Sequence, residues 1–155
     1  MMELYTPIRE DLWFKAAMLA DEPTMSYNHA YGGTIAFPEE RWSGWYDRWI
    51  IHHETKRFYR YLRENDTFLG EIAYHLEEDR QIYLADVLLY APHRGKGYGR
   101  QALLLLCEAA KNNGIPELYD EIAIDNPSVS LFLTCGFEEI ARTGESILLK
   151  KNLLL

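Results

Sequence analysis

The sequence LADVLLYAPHRGKGYGRQALLLLCEAAKNNG, residues 84–114, organises the predicted fold of this chain. Residues 82–90 form a short and almost wholly apolar run, which is typical of a strand buried on both faces. From residue 102 to residue 110, small and apolar side chains recur at helical spacing, and Gly114 supplies a helix stop signal. Between these two segments, three glycines occupy alternate positions: Gly95, Gly97 and Gly99. We therefore predict a strand, a glycine-rich loop and a helix in direct succession.

The glycine-rich loop has the properties of a phosphate-binding site. Glycine lets the backbone bend sharply and lets its N–H groups approach an anion, and the following helix presents the positive end of its dipole. Arg94 and Lys96 add positive charge beside the loop. The spacing of the glycines is that of neither a Walker A loop nor a G-x-G-x-x-G dinucleotide loop. A tight strand-to-helix turn with incidental basic residues is the structural alternative.

Composition and charge limit the classes of function. The chain has 155 residues, of which 48% are hydrophobic and 26% charged, and this is typical of one soluble domain spanning residues 1–155. The formal net charge of -8 argues against nucleic acid or an anionic membrane surface as a partner. An acidic body attracts cationic small molecules such as amines, although a need for solubility explains the charge equally well.

The cysteines and histidines suggest no metal site. Cys107 and Cys135 form neither a CxxC pair nor a ligand cluster, and the histidines are scattered along the chain. Acidic residues precede any apolar run near the N-terminus, and no apolar run has the length of a membrane span, so we predict a cytoplasmic protein. The apolar tail at residues 153–155 either packs in a homodimer or is a frayed end.

The remaining elements are predicted from periodicity and turn signals. Two helices are expected before the glycine loop, at residues 12–20 and from Pro38 onward, and a short one is expected after Asn126-Pro127. A meander of antiparallel strands leads into the glycine loop, and a hairpin closes the chain. The predicted strands are residues 4–8, 56–62, 67–75, 82–90, 118–124, 137–142 and 146–150.

Two segments of the first half carry aromatic side chains suited to binding. Residues 24–37 show no clean periodicity and mix polar and aromatic residues with glycine, as binding loops and ordinary connections both do. The helix from Pro38 carries Trp42, Trp45, Tyr46 and Trp49 at i, i+3, i+4 and i+7, which is typical of a packing face but also suits cation–π contacts to an amine. The predicted acceptor contacts are Tyr27, His29, Tyr31, Trp42 and Trp45.

Several features of the second half occur in the order found in one known family. The apolar strand leads into Arg94-x-x-Gly97-x-Gly99 and an amphipathic helix, a further strand ends at Asp125-Asn126, and a short helix runs into Cys135-Gly136-Phe137. This half of the chain resembles the GNAT superfamily of N-acetyltransferases, and the match covers residues 82–137. The resemblance implies an α+β fold with a mixed, mostly antiparallel and centrally splayed sheet flanked by helices.

The resemblance also implies acetyl-CoA as the acetyl donor. Backbone N–H groups of residues 95–100 would hold its pyrophosphate, Val87 and Leu89 would bond its pantetheine arm, and an N–H near Val87 would polarise the thioester carbonyl. Asn126 would touch the same arm from the next strand. The implied cofactor contacts are Val87, Leu89, Arg94, Gly95, Lys96, Gly97, Tyr98, Gly99, Arg100, Asn126 and Phe132.

The catalytic acid and base are less well defined by the resemblance. Family members often place a tyrosine four residues before the Gly-Phe pair, where this chain has Phe132, so the acid has no assigned residue. Glu121, five residues before Asn126, is the first choice as base, and Glu71 and Asp86 are the next candidates. If Asp125 rather than Asn126 matches the family asparagine, the base becomes Asp120.

The sequence thus predicts an N-acetyltransferase that moves an acetyl group to a primary amine of a small cationic molecule, by direct attack in a ternary complex. No Gly-x-Ser-x-Gly motif or cysteine–histidine neighbour argues for a covalent intermediate. A CoA-binding sensor without transfer chemistry, favoured by Phe132, is the main alternative. Acetylation of a protein N-terminus or lysine is a third possibility.

Overall fold

The computed structural model of the protein describes residues 1–154 and, among these, leaves out the side chains of residues 29–31. Two of the predicted acceptor contacts, the side chains of His29 and Tyr31, therefore lie outside the described residues. Leu155, the last residue of the predicted apolar tail, also lies outside them.

Within the described residues, seven strands form one sheet in the order β1-β2-β3-β4-β5-β7-β6. β4 and β5 run parallel with Leu84 beside Tyr119, whereas β5 and β7, β6 and β7, and β1 and β2 pair antiparallel. The predicted class, a mixed and mostly antiparallel sheet with helices, is confirmed. The strands are β1 Met2–Tyr5, β2 Arg57–Glu64, β3 Thr67–Glu77, β4 Ile82–Leu89, β5 Glu117–Ala123, β6 Glu138–Arg142 and β7 Ser146–Asn152.

The helices of the described chain are mostly short, and none is both long and apolar enough to cross a bilayer. The α-helices are α1 Leu12–Ala20, α2 Glu22–Met25, α3 Trp42–Tyr46, α4 Tyr98–Asn112 and α5 Ser128–Thr134. Turns of 3-10 helix occupy Arg9–Asp11, Ser26–Tyr31, Glu39–Arg41 and Ala91–His93, and a π-helical turn occupies Asp47–Ile51.

The chain packs as two compact units, each with its own buried side chains. One unit comprises Met1–Glu71 with Leu88–Lys96, and the other comprises Ile72–Val87 with Gly97–Leu155. Fully buried residues of the first unit include Leu12, Met18, Tyr59, Tyr61 and Leu62. Those of the second include Ile72, Leu103, Leu106, Leu118 and Leu149.

The structure differs from the sequence prediction in the first half of the chain. The segment predicted as an irregular connection from residue 24 begins inside α2, where the Asp21 side chain accepts hydrogen bonds from the Thr24 N–H at 3.2 Å and its hydroxyl at 2.6 Å. A helix of four residues is too short to produce a periodic pattern. The helix predicted from Pro38 is divided, because its last turn is π-helical and is closed by the His52 N–H donating to the Asp47 carbonyl at 2.7 Å.

Candidate functional site

The glycine-rich loop has the backbone shape that an anion site requires. Gly95 and Gly97 have φ angles of +79° and +81°, in the left-handed region that only glycine adopts readily. A Cβ atom at either position would meet nothing within 4 Å, so glycine is required here by conformation rather than by crowding. Gly97 is the N-cap of α4 and has no side chain that could cap the first turn of the helix.

Arg94, predicted as a cofactor contact, binds backbone carbonyl groups in this structure. Its guanidinium donates to the Leu89 oxygen at 3.0 and 3.2 Å, to the Pro23 oxygen at 3.1 Å and to the Thr24 oxygen at 2.8 Å. The buried Thr24 hydroxyl also accepts a hydrogen bond from the Ala91 N–H at 3.0 Å. Arg94 and Thr24 together hold the start of α2 against the end of β4.

We expect Arg94→Gln to lower the free energy of unfolding by about 1 to 3 kcal/mol, because several charge-assisted bonds to carbonyl groups are lost. Lys96→Gln is the matched control: Lys96 is an exposed cation of the same loop, and its replacement is expected to leave stability unchanged. Urea unfolding of the two variants beside the wild type measures this. Equal midpoints for Arg94→Gln and the wild type would mean that the carbonyl bonds contribute nothing.

Glu71, one of the three predicted bases, is buried on β3 and already has two partners. Its carboxylate accepts a hydrogen bond from the Tyr59 hydroxyl at 2.6 Å and lies 3.0 Å from the Lys15 Nζ atom. Only 4% of Glu71 is exposed. Lys15 was missed by the sequence reasoning, although it is the one cation within the otherwise apolar helix α1 and that isolation was a usable signal.

The tryptophan stripe surrounds the same lysine. The Lys15 Nζ atom lies 5.1 Å from the centroid of the Trp45 ring and 5.0 Å from that of Tyr59, and the Trp49 ring stacks on Trp45 at 5.9 Å. Trp42 is used differently, since its indole N–H donates to the Phe37 carbonyl at 3.0 Å. The stripe therefore acts as a packing face, and the ammonium group that it contacts belongs to the chain itself.

The other predicted acceptor contact with a described side chain is Tyr27. It is 43% exposed and lies in the 3-10 turn that follows α2. The structure therefore leaves Tyr27 at the surface of the first unit, whereas Trp45 lies beside Lys15.

Two neighbouring acids of β5 occupy different surroundings. Glu121, the first choice as base, is exposed and forms an ion pair with Arg80 at 3.3 Å. Asp120 lies on the other face of the strand, between the buried Leu118 and Ile122. Burial raises the pKa of the Asp120 carboxyl well above its usual range, and the carboxylate of Asp86 raises it further.

Asp86 itself, the third predicted base, is exposed on β4. Val87 and Leu89, the predicted backbone contacts of the pantetheine arm, follow it on the same strand and are half-buried. The Asn126 side chain accepts a hydrogen bond from the Ser128 N–H at 2.9 Å and so starts α5.

Phe132 and the cysteines are core residues. Phe132 is 3% exposed and packs edge-on against Phe137, with ring centroids 4.9 Å apart. Cys107 and Cys135 are both buried, and burial raises the pKa of the Cys107 thiol to about 11. A thiol with that pKa is almost entirely protonated at neutral pH, so Cys107 is unsuited to act as a nucleophile.

Comparison with known proteins places these features in a family. Residues 13–137 match the model of the "Acetyltransferase (GNAT) family". Two Bacillus subtilis proteins named as uncharacterized N-acetyltransferases are similar in sequence. YycN is 35% identical over 82 residues, which cover 50% of this chain and 52% of YycN. YobR is 32% identical over 122 residues, which cover 77% of this chain and 48% of YobR. The chain thus spans about half the length of the curated relatives it matches.

Solved structures share the fold over nearly the whole chain. A putative acetyltransferase from Salmonella typhimurium, yncA, solved with acetyl-CoA, has a TM-score of 0.75 at 19% identity. The match covers 98% of this chain and 94% of the yncA chain. Spermidine N-acetyltransferase from Vibrio cholerae, solved with CoA and spermine, has a TM-score of 0.78 at 17% identity, with 99% and 96% covered. Since the family model matches most of the residues, this chain belongs to the acetyltransferase (GNAT) family.

Proposed function

We propose that the protein transfers the acetyl group of acetyl-CoA to the primary amine of a small, cationic molecule by direct attack in a ternary complex. The observation that carries this proposal is the left-handed glycine loop at the N-terminus of α4 in a chain of the acetyltransferase family. A single domain of residues 1–155 acting in the cytoplasm remains part of the proposal. The solved relatives named for spermidine acetylation support an amine as acceptor.

The residues present fit acetyl-CoA. The N–H groups of residues 95–100 would bind the pyrophosphate, because Gly97 has no side chain to cap the first turn of α4, and the exposed Lys96 and Arg100 would add positive charge for the phosphates. Backbone groups of Val87 and Leu89, together with Asn126, would hold the extended arm. When bound, acetyl-CoA supplies a thioester whose carbonyl an amine attacks. Arg94 is assigned to the fold rather than to the phosphates, because backbone carbonyls engage its donors.

We propose Asp120 as the base that removes a proton from the acceptor's ammonium group. A general base works best when its pKa lies near the working pH, and burial shifts the pKa of Asp120 in that direction. Glu121 is held in an exposed ion pair with Arg80, and Glu71 is held by Lys15 and Tyr59. Asp86 contributes by its charge, which favours the protonated form of Asp120.

Asp120→Asn is expected to lower kcat/KM by about 100-fold or more, which is the contribution typical of a general base. In the wild type, kcat/KM should rise with pH through the raised pKa of Asp120, and this dependence should disappear in the variant. The adjacent Glu121→Gln is the matched control, because it removes a carboxylate from the opposite face of the same strand. A large loss in Glu121→Gln with little loss in Asp120→Asn would assign the base to Glu121.

The stability of Asp120→Asn gives an independent check on its surroundings. Because the pKa of Asp120 is higher in the folded than in the unfolded protein, the folded state binds the proton more tightly, and wild-type stability falls as pH rises from about 3.9 through the folded pKa. Asparagine removes this dependence. The variant should therefore melt above the wild type at pH 8, and the difference should vanish near pH 4.

The function itself is tested by thiol release from acetyl-CoA with a panel of amines. We expect turnover with at least one primary amine among polyamines, aminoglycosides and amino acids, and a raised melting temperature with acetyl-CoA alone. Binding without turnover of any amine, including protein lysines and N-termini, would favour the sensor function, which the lack of a hydroxyl group on Phe132 also favours. Absence of both binding and turnover would refute the proposal.

A further inference from the structure

We propose that Glu71, Tyr59 and Trp45 form a cation-binding cage that Lys15 occupies, so that Lys15 excludes the ammonium groups of small molecules from it. The three cage residues belong to β3, β2 and α3, and the cation comes from a fourth element, α1. We call this group of three residues the ammonium cage. Lys15 is then a specificity-determining residue of the first unit.

The geometry of the cage is that of a site for a primary ammonium. The Lys15 Nζ atom lies 3.0 and 3.4 Å from the two oxygens of Glu71, within hydrogen-bond distance of both. The same atom is 5.1 Å from the Trp45 centroid and 5.0 Å from the Tyr59 centroid, distances at which an aromatic face attracts a cation. Trp45 and Tyr59 meet edge to face at 4.7 Å and 85°, so the two rings are held at right angles.

The charge of the cage requires an occupant. The Glu71 side chain is 5% exposed, and a carboxylate that deeply buried is costly unless a cation and hydrogen bonds compensate it. The Tyr59 hydroxyl satisfies one oxygen at 2.6 Å but carries no charge. The Lys15 ammonium therefore supplies the compensating charge, and it does so from the end of a flexible arm rather than from the cage itself.

The Lys15 arm also marks the direction from which a ligand would enter. Its side chain is 12% exposed and that of Glu71 is 5% exposed, so the lysine is the more accessible member of the pair and a ligand would enter along its path. Removal of the arm beyond Cβ would open a channel with the shape of a propylammonium ion. The positions of the three cage residues should be kept when the Lys15 side chain is removed, because these residues lie on elements other than α1.

What this implies about acceptors rests on the proposed acetyl transfer, whereas the cage itself does not. In the wild type, Glu71 is neutralised by Lys15, so an acceptor's ammonium gains nothing from that carboxylate. A cationic acceptor must be recognised elsewhere on the acidic surface. Replacement of Lys15 should convert the cage into a new site for cationic amines.

Lys15→Ala with added n-propylammonium chloride tests the inference by thermal unfolding. Lys15→Ala should melt below the wild type, and propylammonium at a hundredfold excess over its dissociation constant should raise the melting temperature by about 5 to 10 °C. The wild type should not respond, because Lys15 fills the cage. Sodium chloride and 1-propanol at equal concentration test for salt effects and for an uncharged ligand of the same shape, and neither should raise the melting temperature of the variant.

The double variant Lys15→Ala/Glu71→Gln tests the role of the carboxylate. It lacks the charge that holds the cation, so propylammonium should give no increase in its melting temperature. Equal responses of all three proteins would overturn the inference, as would the absence of any response in Lys15→Ala. These measurements require no acetyl transfer, so failure of the proposed enzyme activity would leave their outcome readable.

A second measurement applies if Lys15→Ala does not fold alone. Refolding from urea is then compared in propylammonium chloride and in sodium chloride. We expect at least a threefold higher yield of folded Lys15→Ala in propylammonium, because the ligand supplies the charge that Glu71 requires. Equal yields in the two salts would show that the cage cannot accept a free ammonium ion, and the inference would be wrong.

Discussion

Gly70→Ala is expected to lower the free energy of unfolding by about 3 kcal/mol or more, because β4 lies so close to Gly70 on β3 that no side chain larger than a hydrogen atom fits between them. A Cβ atom at Gly70 would lie 2.2 Å from the carbonyl oxygen of Leu88 and 2.9 Å from the Cα atom of Leu89. Both contacts are with backbone atoms, which no rotamer change can move. Nearby, the Tyr90 N–H donates to the Leu69 carbonyl at 2.9 Å, which holds the residue after β4 against β3.

Urea unfolding measures this effect, and Gly44→Ala is the matched control. Gly44 lies in α3, a Cβ atom there would meet nothing within 4 Å, and its φ angle is not positive. Alanine is the better helix former, so Gly44→Ala should raise stability by about 0.5 to 1 kcal/mol. If Gly70→Ala and Gly44→Ala had similar stabilities, β4 would have to shift freely away from β3, and the close packing described here would be wrong.

Gly97→Trp is expected to weaken acetyl-CoA binding by about 100-fold, on the proposal that the loop holds the pyrophosphate. Losing two hydrogen bonds to a charged group costs about 3 kcal/mol, which corresponds to that change in affinity. The indole would occupy the open space through which an anion reaches the N–H groups of α4. The left-handed φ of +81° adds a backbone cost of about 1 to 2 kcal/mol for any residue other than glycine.

Two further variants separate occlusion from strain in this experiment. Gly97→Ala pays the backbone cost but places only a methyl group in open space, so it should bind acetyl-CoA more tightly than Gly97→Trp. Gly144→Trp adds an indole in the turn between β6 and β7, where a Cβ atom also meets nothing within 4 Å, and should bind like the wild type. The measurement is isothermal titration with acetyl-CoA. Wild-type affinity in Gly97→Trp would remove the loop from the cofactor site.

The central strand, glycine loop and helix were predictable because each depends on neighbours in the sequence. Residues 82–90 were predicted as a strand, and β4 is Ile82–Leu89; the helix predicted after the glycine-rich loop is α4, Tyr98–Asn112. Apolar periodicity and glycine conformation are local properties, so they can be read before the chain is folded. The short helix α2 was missed for the same reason, since four residues carry no period.

The electrostatic partners of Lys15 and Arg94 were not predictable, since each pair joins distant parts of the chain. Lys15 and Glu71 are separated by 56 positions, and Arg94 and Pro23 by 71. Two adjacent acidic side chains of β5 also have different surroundings: Asp120 lies on the face of the strand that carries the buried residues, and Glu121 points to solvent.

By itself, the sequence determined the family, the glycine-rich loop before α4 and the burial of the core strands, because backbone conformation and hydrophobic patterning follow from adjacent residues. Only the tertiary structure decided that Lys15 pairs with Glu71, that Arg94 binds carbonyl groups, and that burial raises the pKa of Asp120. Burial and charge pairing depend on which distant segments meet, and no local pattern records that.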